Sequence, residues 1–457
     1  MKNYSKNLIG AIVFFLITPI FTGCSTSVDN RLEAGFCTKD ITPSMGRVVD
    51  HLMAKVLVLK QGNEKAAIVV CDIIGIDQQT TNEIRKAVFE KTGIPASHIS
   101  ISATHDHSAG RSEDLAKLIT EAIIDADKTL KPVSISSGTT TQEGLAFNRR
   151  FLMMDGTVRM NPSIDKVTGT SFENGNPYLN PEIVRPVGPV DKEVPIVFFR
   201  SSGDNKPIGS LTCFAMHTCV FGSGYSADYP GFLAKKLLEC YGDNFISIFG
   251  EGTCGDINHW DVKKSGDGQN GPGRSYEIGN TLAETIKKAV PGLASNAPCL
   301  KVLNRIIDIP LQPVTEMDIA WAQSAREDKF KDFGSTAFNN RGFLAGVRAD
   351  KILSLAEMWK SMQTLPVEVQ VFRIDNQTVV VTLPGEIFVE HGLAIKKSSP
   401  FKNTIVLELA NDDNPDYVPT LKSYREGGYE TVSSSLVPGA GETMVKVAIE
   451  LLRELKI

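Results

Sequence analysis

Ile99-Ser100-Ile101-Ser102-Ala103-Thr104-His105-Asp106-His107-Ser108-Ala109-Gly110 alternates β-branched with small residues and then runs into a Ser/Gly-rich stretch. That pattern predicts a buried strand leaving a sheet. An H-x-H at such a strand end is a common opening of a metal site. Side chains two apart on a strand share a face, so both imidazoles are expected to point into the crevice beyond the strand, with Asp106 on the other side. The bland alternative is a polar strand terminus carrying two unrelated histidines.

Outward from this motif the chain is ordinary in bulk, with 457 residues, 42% of them hydrophobic and 22% charged, enough for a large core. A net charge of −5 and no basic stripe exclude a nucleic-acid partner. Lys2 and Lys6 precede an apolar run over 8–21, too short for a comfortable membrane span and expected to be a secretory signal. It ends in Phe21-Thr22-Gly23-Cys24-Ser25, which looks like a bacterial lipobox. The expected organisation is therefore a signal peptide with lipobox over 1–24, a tether over 25–31 and a catalytic domain over 32–457. An exported, lipid-anchored envelope protein follows from that organisation. Removing Cys24 from the eight cysteines leaves seven, with no disulfide framework and no C-x-x-C zinc site. Cys213 and Cys219 are a candidate pair in an oxidising compartment.

Strand-like runs (54–59, 65–74, 98–104, 194–200, 208–216, 245–249, 367–374, 378–383 and 404–409) interleave with helix-like ones (80–91, 112–127, 231–241, 276–290, 318–329, 345–362, 387–397 and 441–455). Residues 149–189, rich in Asn, Pro and Gly, read as a long irregular loop. The predicted class is α+β, mixed β-sheets flanked by helices, with a metal site at strand ends. His105, His217, Gly250 to Asp256 and Glu386 all lie just past a predicted strand, where ligands bind in open sheets. Taken singly, His217 reads as a structural histidine and Glu386 as a carboxylate at a helix N-terminus. Tyr417 follows Asn411-Asp412-Asp413-Asn414-Pro415-Asp416, a run that also suggests a calcium loop.

In combination, these motifs resemble the amino-terminal catalytic domain of the neutral/alkaline ceramidase family over most of the chain. The resemblance rests on Asp40-Ile41-Thr42-Pro43, Ser102 through Ser108, Asn148-Arg149 and His217 with Ser226-Ala227-Asp228-Tyr229-Pro230-Gly231. It continues through Gly252-Thr253-Cys254-Gly255-Asp256, Pro384-Gly385-Glu386, Tyr417, Tyr424 and Tyr429-Glu430. It implies one Zn²⁺ held by His105, His217, Glu386 and Tyr417, a plausible if unusual ligand set. It also implies metal-bound water attacking the N-acyl carbonyl of a lipid, with His107, Arg149 and Tyr429 contacting the carbonyl oxygen or the developing oxyanion.

The chain departs from the family pattern at four points. Asp106 stands where Thr is usual and adds a negative charge as a candidate partner of the metal ligands. Arg150 replaces a Ser, and Asn258 occupies the place of a serine once considered a nucleophile, which excludes a serine mechanism there. No carboxy-terminal immunoglobulin-like domain is expected in the length that remains after the closing helix. That departure opens the alternatives of another N-acyl or ester substrate, such as a sugar, or a non-catalytic surface binding lipoprotein. Metallo-β-lactamase-like enzymes need Asp and His where Ala109 and Gly110 stand. Amidohydrolase barrels need a regular eightfold alternation that the 149–189 loop interrupts.

Overall fold

The computed structural model describes Met1 and residues 30–162, 179–327 and 341–456. The expected signal peptide and lipobox, and most of the tether, lie outside the described residues. No described helix is long and apolar enough to cross a membrane.

Two sheets pack face to face. The larger has nine strands and runs Ile246–Glu251, Pro207–Phe214, Glu193–Ser201, Lys131–Thr141, Leu32–Asp40, Met53–Gln61, Glu64–Cys71, Ile99–Ala103, with Ala294–Ser295 added to Lys131–Thr141. The smaller has four, in the order Pro298–Pro310, Thr364–Asp375, Thr378–Thr382, Asn403–Leu407. Period-2 side-chain alternation explains the layering. Leu57, Leu59, Ile68 and Val70 point inward and meet Phe372, Val380, Ile405 and Leu407 of the opposite sheet in one buried cluster. Their neighbours Val56, Val58, Ala67 and Val69 point outward and are covered by Ile84, Val88, Ile119 and Ile123. These come from helices Gln78–Thr92 and Leu115–Lys128.

Helices Asp228–Tyr241 and Pro272–Ala289 cover the other end of the large sheet through Leu233, Leu237, Ile278 and Leu282. Helix Ala440–Lys456 covers the small sheet with Met444, Val447, Leu451 and Leu452. The result is a helix–sheet–sheet–helix sandwich, the mixed α+β class expected from the sequence. Strands with both faces buried read as continuous apolar runs, which is why 54–59 and 65–74 were legible.

The outermost pair at each edge of the large sheet is parallel, and one short segment joins the two edges. Just past Asn403–Leu407, Glu408 N–H donates to the Glu251 carbonyl at 3.2 Å, on one edge. On the other edge, Ala103 N–H donates to Leu409 O at 3.2 Å and Asn411 N–H to Ile101 O at 2.7 Å. The Asn411 side chain closes the clip by accepting from Ile101 N–H at 2.9 Å. Leu409 and Asn411 sit at φ 51° and 68° to make these contacts, a left-handed conformation that non-glycine residues adopt only when the surroundings enforce it. The ends of the strands that lead to His105 and to Gly252–Asp256 are thereby brought together.

One expectation is corrected. The 149–189 segment is not an irregular loop throughout: Arg150–Met153, Val158–Met160 and Ile183–Pro186 form a three-stranded sheet, with residues 163–178 outside the description. Strands of three or four residues give no readable alternation. The run 411–416 is a structural clip, with Asn411 Nδ2 donating to Gln370 Oε1 at 2.8 Å and Asp416 ion-paired to Lys351. Among the described residues, neither group with metal-ligand geometry includes this run. All seven described cysteines are free, Cys213 and Cys219 among them.

If the clip organises the sheet edges, Asn411→Ala leaves a buried Ile101 N–H unpaired. It is expected to lower unfolding free energy by about 1–3 kcal/mol, measured by urea denaturation.

Candidate metal centre

His105 follows strand Ile99–Ala103 but is not part of it. The strand ends at Ala103 and His105 takes φ 53°, so the two histidines do not share a strand face as expected. Their rings nevertheless approach, with centroids 4.8 Å apart, because the turn folds back on the sheet. Asp106 N–H donates to Ile73 O at 3.0 Å and His107 N–H to Thr218 O at 3.0 Å. The second bond ties the motif to the residue after His217. His217 itself follows Pro207–Phe214, the strand next to the opposite edge, and its ring centroid lies 4.8 Å from that of His105.

Glu386 and Tyr417 are brought side by side by a two-residue parallel ladder that registers Glu386 with Tyr417 and Ile387 with Val418. Gly385, at φ 81°, is required here, because a Cβ would lie 2.7 Å from the Asp416 carbonyl. Arg149 is placed by its backbone N–H to Asp256 O at 2.9 Å. Its guanidinium stacks 5.3 Å from the Tyr417 ring centroid, and the Tyr417 and Tyr429 rings lie 5.5 Å apart. The structure thus gathers His105, His107, His217, Glu386, Tyr417, Arg149 and Tyr429 at one place. His105, His217, Glu386, Arg149 and Tyr417 are buried, whereas His107 is exposed.

Hydrogen-bond bookkeeping shows what the centre needs. His105 Nδ1 lies 2.9 Å from the Ile74 carbonyl and His217 Nδ1 2.8 Å from the Cys254 carbonyl. A carbonyl only accepts, so both Nδ1 atoms carry the proton and both Nε2 atoms of the neutral rings present lone pairs inward. Arg149 Nη1, which only donates, lies 3.1 Å from His217 Nε2 and confirms that this nitrogen is bare. Glu386 Oε2 is 3.2 Å from both Nε2 atoms, yet His105 Nε2 and Glu386 Oε2 are buried without a hydrogen-bond partner. Acceptors facing acceptors in a dry interior are costly unless a positive charge sits among them. Nitrogen and oxygen donors of this kind suit zinc, so the residues fit the ion. The ring nitrogens of His105, His107 and His217 also lie within 4.8 Å of one another.

The titrating groups agree. Burial alone lowers the His105 pKa, but Glu386 more than reverses it, so the pKa lies above the ordinary value. Burial, then Arg149, push His217 down to about 3. Burial opposes ionisation of Glu386, but positive charge at His105, and less at His217, holds its carboxyl well below the usual range; with both rings neutral, that charge has to come from a bound cation. Burial pushes the Tyr417 phenol well up, against the pull of Arg149. Its phenolate form therefore requires a further cation close by.

Behind these residues lies a second group, of which the sequence motifs included only Cys254, without assigning it a role. Glu251, Cys254 and Glu408 are fully buried and close enough to share a ligand. Burial and the Glu408 charge push Glu251 well up, and burial does the same to Glu408 and the Cys254 thiol. A protonated thiol is a poor ligand, and the group's contacts are supportive. The Cys254 carbonyl orients His217, and Glu408 Oε2 accepts from Ile387 N–H at 2.6 Å, next to Glu386. Asp256 is a second support, accepting from Asn148 Nδ2 at 2.6 Å and from Val389 N–H at 2.9 Å. Glu430 is a third, holding Arg149 Nε at 2.8 Å.

Asp106 differs from its expected role. Burial, then the charges of Asp228, Asp72 and Asp50, push its carboxyl up to about 9, so it enters as a neutral acid rather than as a negative charge. The folded state thus holds a proton that the unfolded chain, with a carboxyl near pKa ~3.9, releases. That contribution is full below ~3.9 and is lost as pH rises toward 9. Stability of the wild type is expected to fall more steeply between about pH 5 and pH 8.5 than that of Asp106→Asn, read from urea unfolding at each pH.

No protein-family model matches the chain, and no curated protein matches it by sequence. Solved structures do. A neutral ceramidase from Pseudomonas aeruginosa superposes with a TM-score of 0.66 at 16% identity, covering 94% of this chain and 75% of that one. A ceramidase complexed with C2 gives 0.67 at 15% identity, covering 94% and 76%. The chain has the fold of the neutral ceramidases.

Proposed function

We propose that this protein is a zinc-dependent N-deacylase of ceramidase type, acting on the amide bond of an N-acyl lipid. The observation that carries the reading is the convergence of two bare imidazole nitrogens and an ionised carboxylate oxygen on one buried point. His105, His217, Glu386 and Tyr417 would hold the ion. When bound, zinc supplies a Lewis acid that brings the pKa of a water to about 7.

The chain's own residues do the rest. The Arg149 guanidinium lies beside the Tyr417 hydroxyl, and its buried Nη2 makes no well-aligned hydrogen bond, which leaves it as a donor for the acyl oxygen and for the negative charge that develops on it. Arg149 stays protonated: burial works against its charge, but Tyr417, Glu430 and Glu386 more than offset that. His217 Nε2 has a single lone pair, so Arg149 yields it when a cation is held and keeps both Nη donors for substrate. His107, exposed beside the buried ligands, and Tyr429, beside Tyr417, reach the same oxygen from the solvent side. Ile74, whose carbonyl orients His105, is 47% exposed, and it supports an apolar substituent passing the mouth of the site. The resemblance to ceramidases supports the amide bond.

The test is mass spectrometry of products from a mixed panel of N-acyl lipids and N-acyl sugars, with the metal content of the same sample. Release of a fatty acid from the lipids is the expected result. Metal without any product favours a binding protein, and release from the sugars alone moves the substrate class. His105→Ala is expected to lose both metal and activity. Tyr429→Phe should keep the metal and turn over roughly a hundredfold more slowly, the scale of one lost oxyanion donor. Equal metal loss in both variants would sink this division of roles.

We also propose that the protein is exported and anchored through a lipidated Cys24, which supplies proximity to a lipid substrate. Cys24→Ala is expected to move the protein from the membrane fraction to the soluble fraction on cell fractionation. Unchanged partitioning contradicts the anchor.

A further inference from the structure

Arg150 is 1% exposed and among the largest fully buried side chains of the protein. A guanidinium is costly to bury unless its donors are met. Here a single short segment accepts one hydrogen bond from each of Nη1 and Nη2 and brings a carboxylate to ion-pair distance of Nε. Nη2 donates to the Gly427 carbonyl at 2.6 Å, Nη1 to Glu426 Oε2 at 3.3 Å, and Nε lies 3.3 Å from Glu430 Oε2. The flat face of the group rests 5.2 Å from the Phe388 ring centroid, two residues beyond Glu386. Glu430 gives its other oxygen to Arg149 Nε at 2.8 Å. One side chain thus joins the strand beginning beside Arg149, the turn after Glu386 and the segment carrying Tyr429.

That segment has a weak point directly before Tyr429. Gly427 and Gly428 are consecutive and both lie at positive φ, 73° and 107°. Two glycines in that region constrain the backbone little; Thr431 Oγ1 and Val432 N–H donate to the Gly428 carbonyl at 2.9 and 3.3 Å from within the segment, and Arg150 holds it from outside. The helix that follows, Tyr429–Ser433, has five residues and cannot hold itself.

We propose that Arg150 is a positioning residue that locks the Gly427–Gly428 hinge and so fixes Tyr429 against Tyr417 and Arg149. The catalytic consequence rests on the proposed function, whereas the lock itself does not. Lysine cannot replace it, because the contacts use the planar fork and its flat face.

The test uses the full, metal-loaded protein with Arg150→Gln and Arg150→Lys, either of which serves should the other fail to fold. Hydrogen exchange without substrate reads the lock. Amides of 427–433 are expected to exchange at least tenfold faster in both variants, while those of Ile99–Ala103 keep their protection. Unchanged exchange at 427–433, or an equal loss across the sheet, overturns the proposal. With substrate, both variants should lower kcat while KM and metal content stay at wild-type values. Adding Tyr429→Phe should then cost little more, since the tyrosine is already displaced. Full additivity of the two losses overturns the link to Tyr429. Absence of deacylase activity in the wild type refutes the proposed function, and the exchange experiment still decides the lock.

Discussion

Two imidazole nitrogens and a carboxylate oxygen meet at 3.2 Å inside the protein, and the carbonyls of Ile74 and Cys254 fix which side of each ring faces inward. Those two carbonyls are the decisive constraint. By holding the Nδ1 protons they force the lone pairs toward Glu386, and the centre is then stable only with positive charge among the three atoms. Part of that charge comes from within the protein: Arg149 supplies it at His217, and a proton can supply it at His105. Binding of the proposed metal would accordingly compete with protonation.

The fold maintains this arrangement because the two histidines come from opposite sides of the large sheet. His105 leaves one edge and His217 the strand beside the other, while the 407–411 segment hydrogen-bonds to both edges. The same segment delivers Glu408 to the backbone of Ile387, next to Glu386. Stability of the sheet closure and geometry of the site are therefore one problem. The left-handed backbone at Leu409 and Asn411 is the local strain that the closure imposes.

Much of the sandwich was legible, since strands such as Met53–Gln61 carry apolar side chains on both faces. Lys131–Thr141 was not read, although it is central to the sheet. Its Ser/Thr-rich sequence buries only alternate positions, and only two of those, Val133 and Ile135, are apolar. The H-x-H motif pointed to the right place through the wrong geometry, because strand periodicity does not foresee a left-handed turn at His105. Glu386 and Tyr417 were chosen by resemblance alone. The two-residue ladder that registers them has no period, and their separation in sequence hides it. Glu430 stood within a quoted motif without a role, since its work is done through Arg149 and Arg150. Asp106 was assigned a charge that only its buried surroundings remove.

The proposed ion would lie among nitrogen and oxygen donors with the Cys254 thiol protonated behind them, so the two groups with ligand geometry make different predictions. X-ray absorption at the zinc edge of the metal-loaded protein separates them directly. The account predicts a shell of nitrogen and oxygen scatterers with an imidazole signature from two rings and no sulfur. A sulfur scatterer at about 2.3 Å would put the metal in the Glu251–Cys254–Glu408 group and contradict the account.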